Sequence, residues 1–324
     1  MDRRQIEKRI EEIRANMNAR RYMTFSLDEA DFREEDHPRD NGGRFTKKGN
    51  GSSGRQRRSG EDTGAKRAEE EAERYRESDI AKIAEKKRFV KKNLGTTVRP
   101  FKREAIDLKT VKDEGGVNEE DARKCAVIAE GIIEKAEKNE PAITKDVVDT
   151  VKGLGGTMYG LDSRFKQGTS LGRKIASDGI AYHKKDANNF EAAGEEIRDA
   201  IRYTAIFDND TLSEGYKKTK EKLESLGYKE VRCRNYYKRY RDDPDYNQKA
   251  VQCVFENKDG QCFELQFHTV DSQGTKEVSH PMYKKYRANN TPEEEKKVYN
   301  RRMRNIYATV ADPPGIYDIK DHGE

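Results

Sequence analysis

The sequence predicts an α/β (α+β) domain, a mixed β-sheet of about five strands flanked by helices, behind an N-terminal region that is disordered or helical. Three observations lead there. Hydrophobic residues make up 32% of the 324-residue chain against 39% charged, and the apolar deficit falls mainly in the first ~115 positions, too few to offset chain entropy. Beyond them, helical periodicity alternates with β-favouring runs. Near the C-terminus, Phe263-Glu264-Leu265-Gln266-Phe267-His268-Thr269 sets one carboxylate inside an alternating strand, where it must be protonated, paired, or engaged with a metal or substrate. The expected division is residues 1–116 as a charged region and linker, and 117–324 as the folded domain.

In residues 1–20, Ile6, Ile10, Ile13 and Met17 fall at helical spacing, with too little apolar surface for a stable isolated helix. Residues 31–64 contain His37-Pro38-Arg39-Asp40-Asn41-Gly42-Gly43-Arg44-Phe45 and Gly49-Asn50-Gly51-Ser52-Ser53-Gly54, which read as linker. Residues 62–92 are mostly Lys, Arg, Glu and Ala. They suit a solvated helix with i,i+4 ion pairs, or else an arm for nucleic acid.

The folded part starts at Asn118, an N-cap for a helix with Ala122, Cys125, Ala126, Ala129, Ile132, Ile133 and Ala136 on one face. Thr144 is read as the N-cap of a second helix carrying Val147, Val148, Val151 and Leu154, stopped by Gly155-Gly156. A third helix carries Ser170 to Ile175. Arg202 to Phe207 favours β structure. A helix with Leu212, Tyr216, Thr219, Leu223 and Leu226 inward then ends at Gly227. Segments 230–237, 250–257 and 262–269 read as strands, the last two joined by a turn at Asn257-Lys258-Asp259-Gly260. Helices over 272–288 and 293–308 close the chain.

A formal charge of +5 argues weakly for an anionic partner and against general coating of DNA. Cys125, Cys233, Cys253 and Cys262 lack CxxC spacing and zinc-finger histidines, so they read as reduced, partly buried thiols. No stretch reaches the ~18 apolar residues of a membrane span, and no signal peptide is evident, so a cytoplasmic protein is expected.

Four groups of residues could carry chemistry. On a helix, Lys166, Ser170 and Lys174 would fall at i, i+4 and i+8, just after Arg164. That face is either a grip for polyphosphate or a solvated basic surface. Asp199 and Glu264 could converge at one end of the sheet to hold Mg²⁺ and accept a proton, or could be ordinary ion-paired strand residues. Between Arg232 and Lys249, cations including Arg241 alternate with Tyr236, Tyr237, Tyr240 and Tyr246, which suits base stacking above phosphates or a tyrosine-rich surface. His280 precedes a further cationic run.

In this order, these runs resemble the synthetase domain of the RelA/SpoT homologue (alarmone synthetase) family over about residues 145–290. That family has an Arg followed at +2 by Lys, at +6 by Ser and at +10 by Lys, matched by Arg164, Lys166, Ser170 and Lys174. Its Glu-Ile-Gln-Ile-Arg-Thr strand is matched by Glu264 to Thr269, and a later His by His280. The resemblance implies a nucleotidyltransferase-like sheet and transfer of the β,γ-diphosphate of ATP to a ribose hydroxyl of an acceptor nucleotide. Arg164, Lys166, Ser170 and Lys174 would hold ATP. Asp199 and Glu264 would be the catalytic carboxylates and Mg²⁺ ligands, and Tyr246, Lys249, Gln266, His268, His280 and Arg241 would form the acceptor side. The chain departs from the pattern at Asp199, only three residues before Arg202, at Tyr246-Asn247-Gln248-Lys249-Ala250, which lacks the family's Arg and His, and at His268 in place of Arg. The acceptor therefore stays open among guanine nucleotides (GDP/GTP), adenine nucleotides and tRNA or another RNA end.

The five histidines include no His-Asp pair suited to the family's hydrolase half. An uncontrolled synthetase would drain ATP, which fits a growth-inhibiting toxin with an antitoxin or immunity protein. The 37–45 run resembles linkers of phage minor-head proteins and suggests phage structural proteins as partners of the N-terminal region. Two other readings are a catalytically inactive phage structural protein and an NAD-dependent ADP-ribosyltransferase, though no Glu-x-Glu pair beside a Ser-Thr-Ser-like strand is found.

Overall fold

The computed structural model describes residues 61–95, 97–181, 189–287 and 291–323. The readings of residues 1–60 lie outside them. The described helices are α1 (Glu61–Lys92), α2 (Leu108–Gly115), α3 (Glu119–Gly153), α4 (Gly168–Ala181), α5 (Phe190–Glu195), α6 (Leu212–Ser225), α7 (Tyr236–Asp242), α8 (Val270–Tyr286) and α9 (Glu293–Tyr307). The strands are β1 (Thr157–Tyr159), β2 (Ile201–Ile206), β3 (Lys229–Asn235), β4 (Val251–Glu256) and β5 (Cys262–His268).

The chain forms two compact units. Of the described residues, one unit comprises 61–82 with 281–287 and 291–309, and the other 83–95, 97–181, 189–280 and 310–323. In the first, Asp79 is buried and both its oxygens accept from Arg302, at 2.9 Å each, a forked pairing that fixes α1 against α9. The second holds the sheet. Its helical core joins Val111 of α2 to Ala122, Cys125, Ala129 and Ile133 of α3 and Leu171 and Ile175 of α4, so residues before 117 contribute to that core.

The sheet is mixed, as expected, with strand order β1-β2-β5-β4-β3. β2 and β5 are parallel neighbours at its centre, while the other pairings are antiparallel. Asn257 to Gly260 makes the β4–β5 turn, with Gly260 N–H donating to Asn257 O at 3.0 Å and Gly260 at φ 68°, a conformation that favours glycine. One sheet face is apolar: Met158, Tyr203, Leu265, Phe263, Phe267 and Phe255 are buried beneath α3 and α6. Edge contacts such as Tyr216 on Phe267, centroids 5.4 Å apart, fill it.

Several local expectations need correction. Asn118 caps α3 as expected, accepting from Asp121 N–H at 2.9 Å, but the helix runs on through Pro141 to Gly153. Thr144 is therefore not an N-cap. Its hydroxyl donates to Glu140 and shares a 2.6 Å hydrogen bond with Tyr203 Oη, and buried residues on both sides of the proline keep the helix going. α1 starts at Glu61, inside the expected linker. The strand read as 230–237 stops at Asn235, whose side chain caps α7 by accepting from Lys238 N–H at 3.2 Å. Leu226, expected inward, is exposed because it lies just past the end of α6.

Ile133 is 1% exposed within the helical core. Ile133→Ala should destabilise the protein by about 2–5 kcal/mol, from lost apolar burial and the cavity left behind, read as a lower midpoint in urea denaturation.

Candidate functional site

The second face of the sheet is polar because alternate residues on the central strands are polar. Register places Arg232, Val254, Glu264 and Arg202 in one row across β3, β4, β5 and β2. The next row on that face is Arg234, Gln252, Gln266, Thr204 and Tyr159. Apart from Val254, which is buried, these side chains are half-buried or exposed. Helix α8 adds Lys276, whose ammonium donates to Gln266 Oε1, and Glu277, which accepts from Tyr159 Oη at 3.2 Å. Gln266 in turn donates to Glu264.

At the start of β2 lies a second polar group. Residues 164–166 run antiparallel to it: Lys166 N–H donates to Ala200 O at 2.9 Å and Arg202 N–H to Arg164 O at 2.7 Å. Lys166 thus precedes α4 and is not on it, which corrects the i, i+4, i+8 arrangement. Lys166 and Lys174 nevertheless meet at Asp199, with Lys166 Nζ 2.7 Å from Oδ2 and Lys174 Nζ 3.1 Å from Oδ1. Ser170 is half-buried on α4. Arg164 does not join them. It is 3% exposed, with Nε bonded to buried Glu140 and Nη1 donating to Leu161 O at 3.1 Å.

The electrostatics of this group are unbalanced. Burial would raise the Asp199 carboxyl, but Lys166 and then Lys174 pull it down to about 2. Lys166 is nonetheless held below the ordinary lysine value: burial outweighs the attraction of Asp199, and Lys174 and Arg202 add repulsion. Lys276 falls to about 8 through burial, opposed by Glu264 and reinforced by Arg202. Arg202 therefore repels the lysines of both groups, and among the described residues the cluster carries more cationic than anionic charge close to Asp199.

The expected acceptor residues are divided. Gln266 lies beside Glu264 on the polar face. His268 is buried with Nδ1 2.8 Å from Ser272 Oγ, and burial, helped by Lys276, keeps its ring neutral. His280 is exposed on α8. Tyr246, Lys249 and Arg241 lie beyond the start of β4, which pairs with the end of β5, whereas Asp199 precedes β2, which pairs with the start of β5. The length of β5 separates these ends, about 20 Å at ~3.3 Å per residue. Lys249 donates to Val310 O at 2.8 Å and pairs with Asp312 at 2.7 Å. Tyr246 Oη accepts from Arg239 at 2.8 Å, and Arg241 pairs with Asp242 and lies over Tyr317. Arg202 and Lys276 were not expected at the site. Alternation of Arg202 with buried Ile201 and Tyr203 marks its face, but Lys276 had no such signal.

The site is thus the polar face of a mixed sheet with a cation-rich edge. No family model and no curated protein matches the sequence. Among solved structures, a chain from the crystal structure of the complex between the Type VI effector Tas1 and its immunity protein is similar over 56% of this chain and 94% of that chain, with 16% identity and a TM-score of 0.37. Among the described residues, no helix is long and apolar enough to cross a membrane.

Against burial, Lys166 and Lys174 hold the Asp199 carboxyl down at about 2, below its ordinary value of 3.8, so its ion pairs add stability that is fully present above pH 3.8 and is lost as pH falls toward 2. The shift corresponds to about 2 kcal/mol. The stability gap between the wild type and Asp199→Asn should therefore be about 2 kcal/mol near neutral pH and narrow progressively below pH 3.8. Urea denaturation across that range checks this, and a gap independent of pH would contradict it.

Proposed function

We propose that this chain transfers the β,γ-diphosphate of ATP to a ribose hydroxyl of an acceptor nucleotide or RNA end. The observation that carries the reading is the excess of cations at Asp199. Lys166 is held below its ordinary value between Lys174 and Arg202, and a polyphosphate would supply the negative charge this edge lacks. The match of Lys166, Ser170, Lys174 and Glu264 to the alarmone synthetase spacing points the same way.

In this reading, Lys166 and Lys174 exchange Asp199 for phosphate oxygens, and Arg202 offers its forked donors beside them. Arg164 acts from within the core, holding the chain that bears Lys166. Glu264 accepts the proton of the acceptor hydroxyl, whose oxygen forms a bond to the β-phosphorus of ATP. The bond from that phosphorus to the α–β bridging oxygen breaks, and AMP leaves with the oxygen. Mg²⁺ suits the hard carboxylate oxygens of Asp199 and Glu264 and would supply charge neutralisation of the phosphates. Asp199 stays ionised throughout the physiological range and so can exchange a lysine for such a cation. Gln266 and the rest of its row offer the acceptor a polar surface next to Glu264, while Lys249 and Tyr246 serve the far end of the sheet. A diphosphate-transferring enzyme that draws on ATP fits a growth-inhibiting protein held in check by a protein partner.

The full chain, given γ-³²P-ATP, Mg²⁺ and separate GDP, GTP, AMP, ADP and tRNA acceptors, should yield a product that carries labelled diphosphate. Glu264→Gln should lower the rate by about 10²-fold or more while leaving the affinity for ATP measured without Mg²⁺ within about threefold, because the carboxylate acts on the acceptor proton and the metal and not on the phosphates directly. Full activity in Glu264→Gln would remove the role given to that residue. Transfer to none of the acceptors, from folded protein, would overturn the reading and favour a structural protein.

A further inference from the structure

A second polar cluster lies under the opposite edge of the sheet, and the nucleotide reading makes no use of it. Glu230 and Cys233 stand on β3 and Cys253 on β4, directly opposite Cys233. Glu230 and Cys233 are three residues apart and would face opposite sides of a regular strand. The register shift between Glu230 and Arg232 inserts an extra residue and turns both side chains to the same side. One carboxylate oxygen and the two sulfurs then lie within 4.8 Å of one another, all buried.

The C-terminal tail completes the set. Cys233 N–H donates to His322 O at 2.9 Å and His322 N–H to Cys233 O at 3.1 Å. This pairing brings His322 Nε2 to 2.7 Å from Glu230 Oε2. Two thiols, an imidazole and a carboxylate thus converge from three segments distant in sequence. Among the described residues, Glu230, Cys233 and Cys253 have the donor types and the closeness that a metal needs, and His322 reaches the set through Glu230.

We propose that Glu230, Cys233, Cys253 and His322 bind a divalent transition-metal ion of the zinc class, which fastens the C-terminal tail to the β3–β4 edge. The donor set of two sulfurs, one nitrogen and one oxygen matches tetrahedral zinc chemistry. Donors around such an ion stand about 3.3–3.8 Å apart, so Glu230, Cys233 and Cys253, within 4.8 Å of one another, need to draw in by about 1–1.5 Å at most, and the His322 ring needs to turn from Glu230 toward the sulfurs. Charge also balances. Two thiolates and a carboxylate around a dication leave one negative charge, and Lys220, 2.7 Å from Glu230, compensates it. Tyr216 Oη donates to Glu230 at 3.2 Å and approaches Cys233 Sγ at 3.6 Å, orienting both ligands from outside the coordination sphere. Binding releases the two thiol protons to solvent and changes no oxidation state.

Linear spacing hid this site. Glu230-x-x-Cys233 has no zinc-finger form, Cys253 joins through strand pairing, and His322 through the tail. All four cysteines are buried, and the fold brings two of them together.

The test is titration of the reduced, chelator-treated full chain with Co²⁺ alone. The expected result is saturation at one ion per chain, with visible d–d absorption of a tetrahedral site, a near-ultraviolet thiolate-to-cobalt band, and displacement by Zn²⁺. Cys125→Ser and Cys262→Ser should behave as wild type, and Cys253→Ser should lose about half the intensity of the thiolate band, the Cys233 sulfur supplying the rest. His322→Ala, which removes a ligand that is 39% exposed and leaves the core intact, should weaken binding by about tenfold or more. The proposal is overturned if the folded wild type takes up no Co²⁺, if the band keeps its full intensity in Cys253→Ser, or if His322→Ala binds as tightly as wild type.

Discussion

Two main-chain hydrogen bonds decide where the charge of this molecule is concentrated. By tying Lys166 to Ala200 and Arg202 to Arg164, they lay residues 164–166 along the start of β2 and bring Lys166 up to Asp199. The anchor of that segment is inside. Arg164 meets Glu140 in the core, and Glu140 also accepts from Thr144, which shares a hydrogen bond with Tyr203 of β2. Removing one member of a buried ion pair costs about 3–5 kcal/mol, because the other charge is left without a partner. Arg164 therefore stays with Glu140, and its contribution to the site is to hold the backbone that presents Lys166.

With the backbone fixed, the chemistry follows from which charges are left short of partners. Asp199 serves two lysines, while Arg202 stands among the same cations and repels Lys166 and Lys276. Interactions at a half-buried edge are screened less than at an open surface, so an anion arriving there gains from several cations at once. Glu264 adjoins Arg202 in the parallel register, which puts a carboxylate within the same row as the cations. Of the departures from the alarmone synthetase pattern, the one at Asp199 falls within this cluster, whereas the one around Tyr246 and Lys249 falls where the side chains are tied to Arg239, Val310 and Asp312.

What the sequence revealed, and what it hid, divides along the reach of the interactions. The β-favouring run from Arg202 to Phe207, the Asn257–Gly260 turn and the Asn118 cap are local signals, and each marked an observed strand, turn or helix start. The single helix through Pro141 was not legible, because what sustains it is the packing of α3 on the sheet and on α4. Asp199, Lys166 and Lys174 were chosen from sequence, but their meeting depends on a bridge between residues 165 and 201, not on a helical face. Lys276 and the Glu230–His322 cluster depend on tertiary pairing alone, and no spacing rule announces them.

The most direct test of the account is calorimetric titration with α,β-methylene-ATP and Mg²⁺, an analogue whose α–β linkage cannot be cleaved. One site per chain is expected, with affinity that falls as salt rises and drops by about tenfold or more when Lys166 and Lys174 are both replaced by alanine. Absence of binding, or an equal affinity in the doubly substituted protein, would contradict the assignment of this edge as a polyphosphate site.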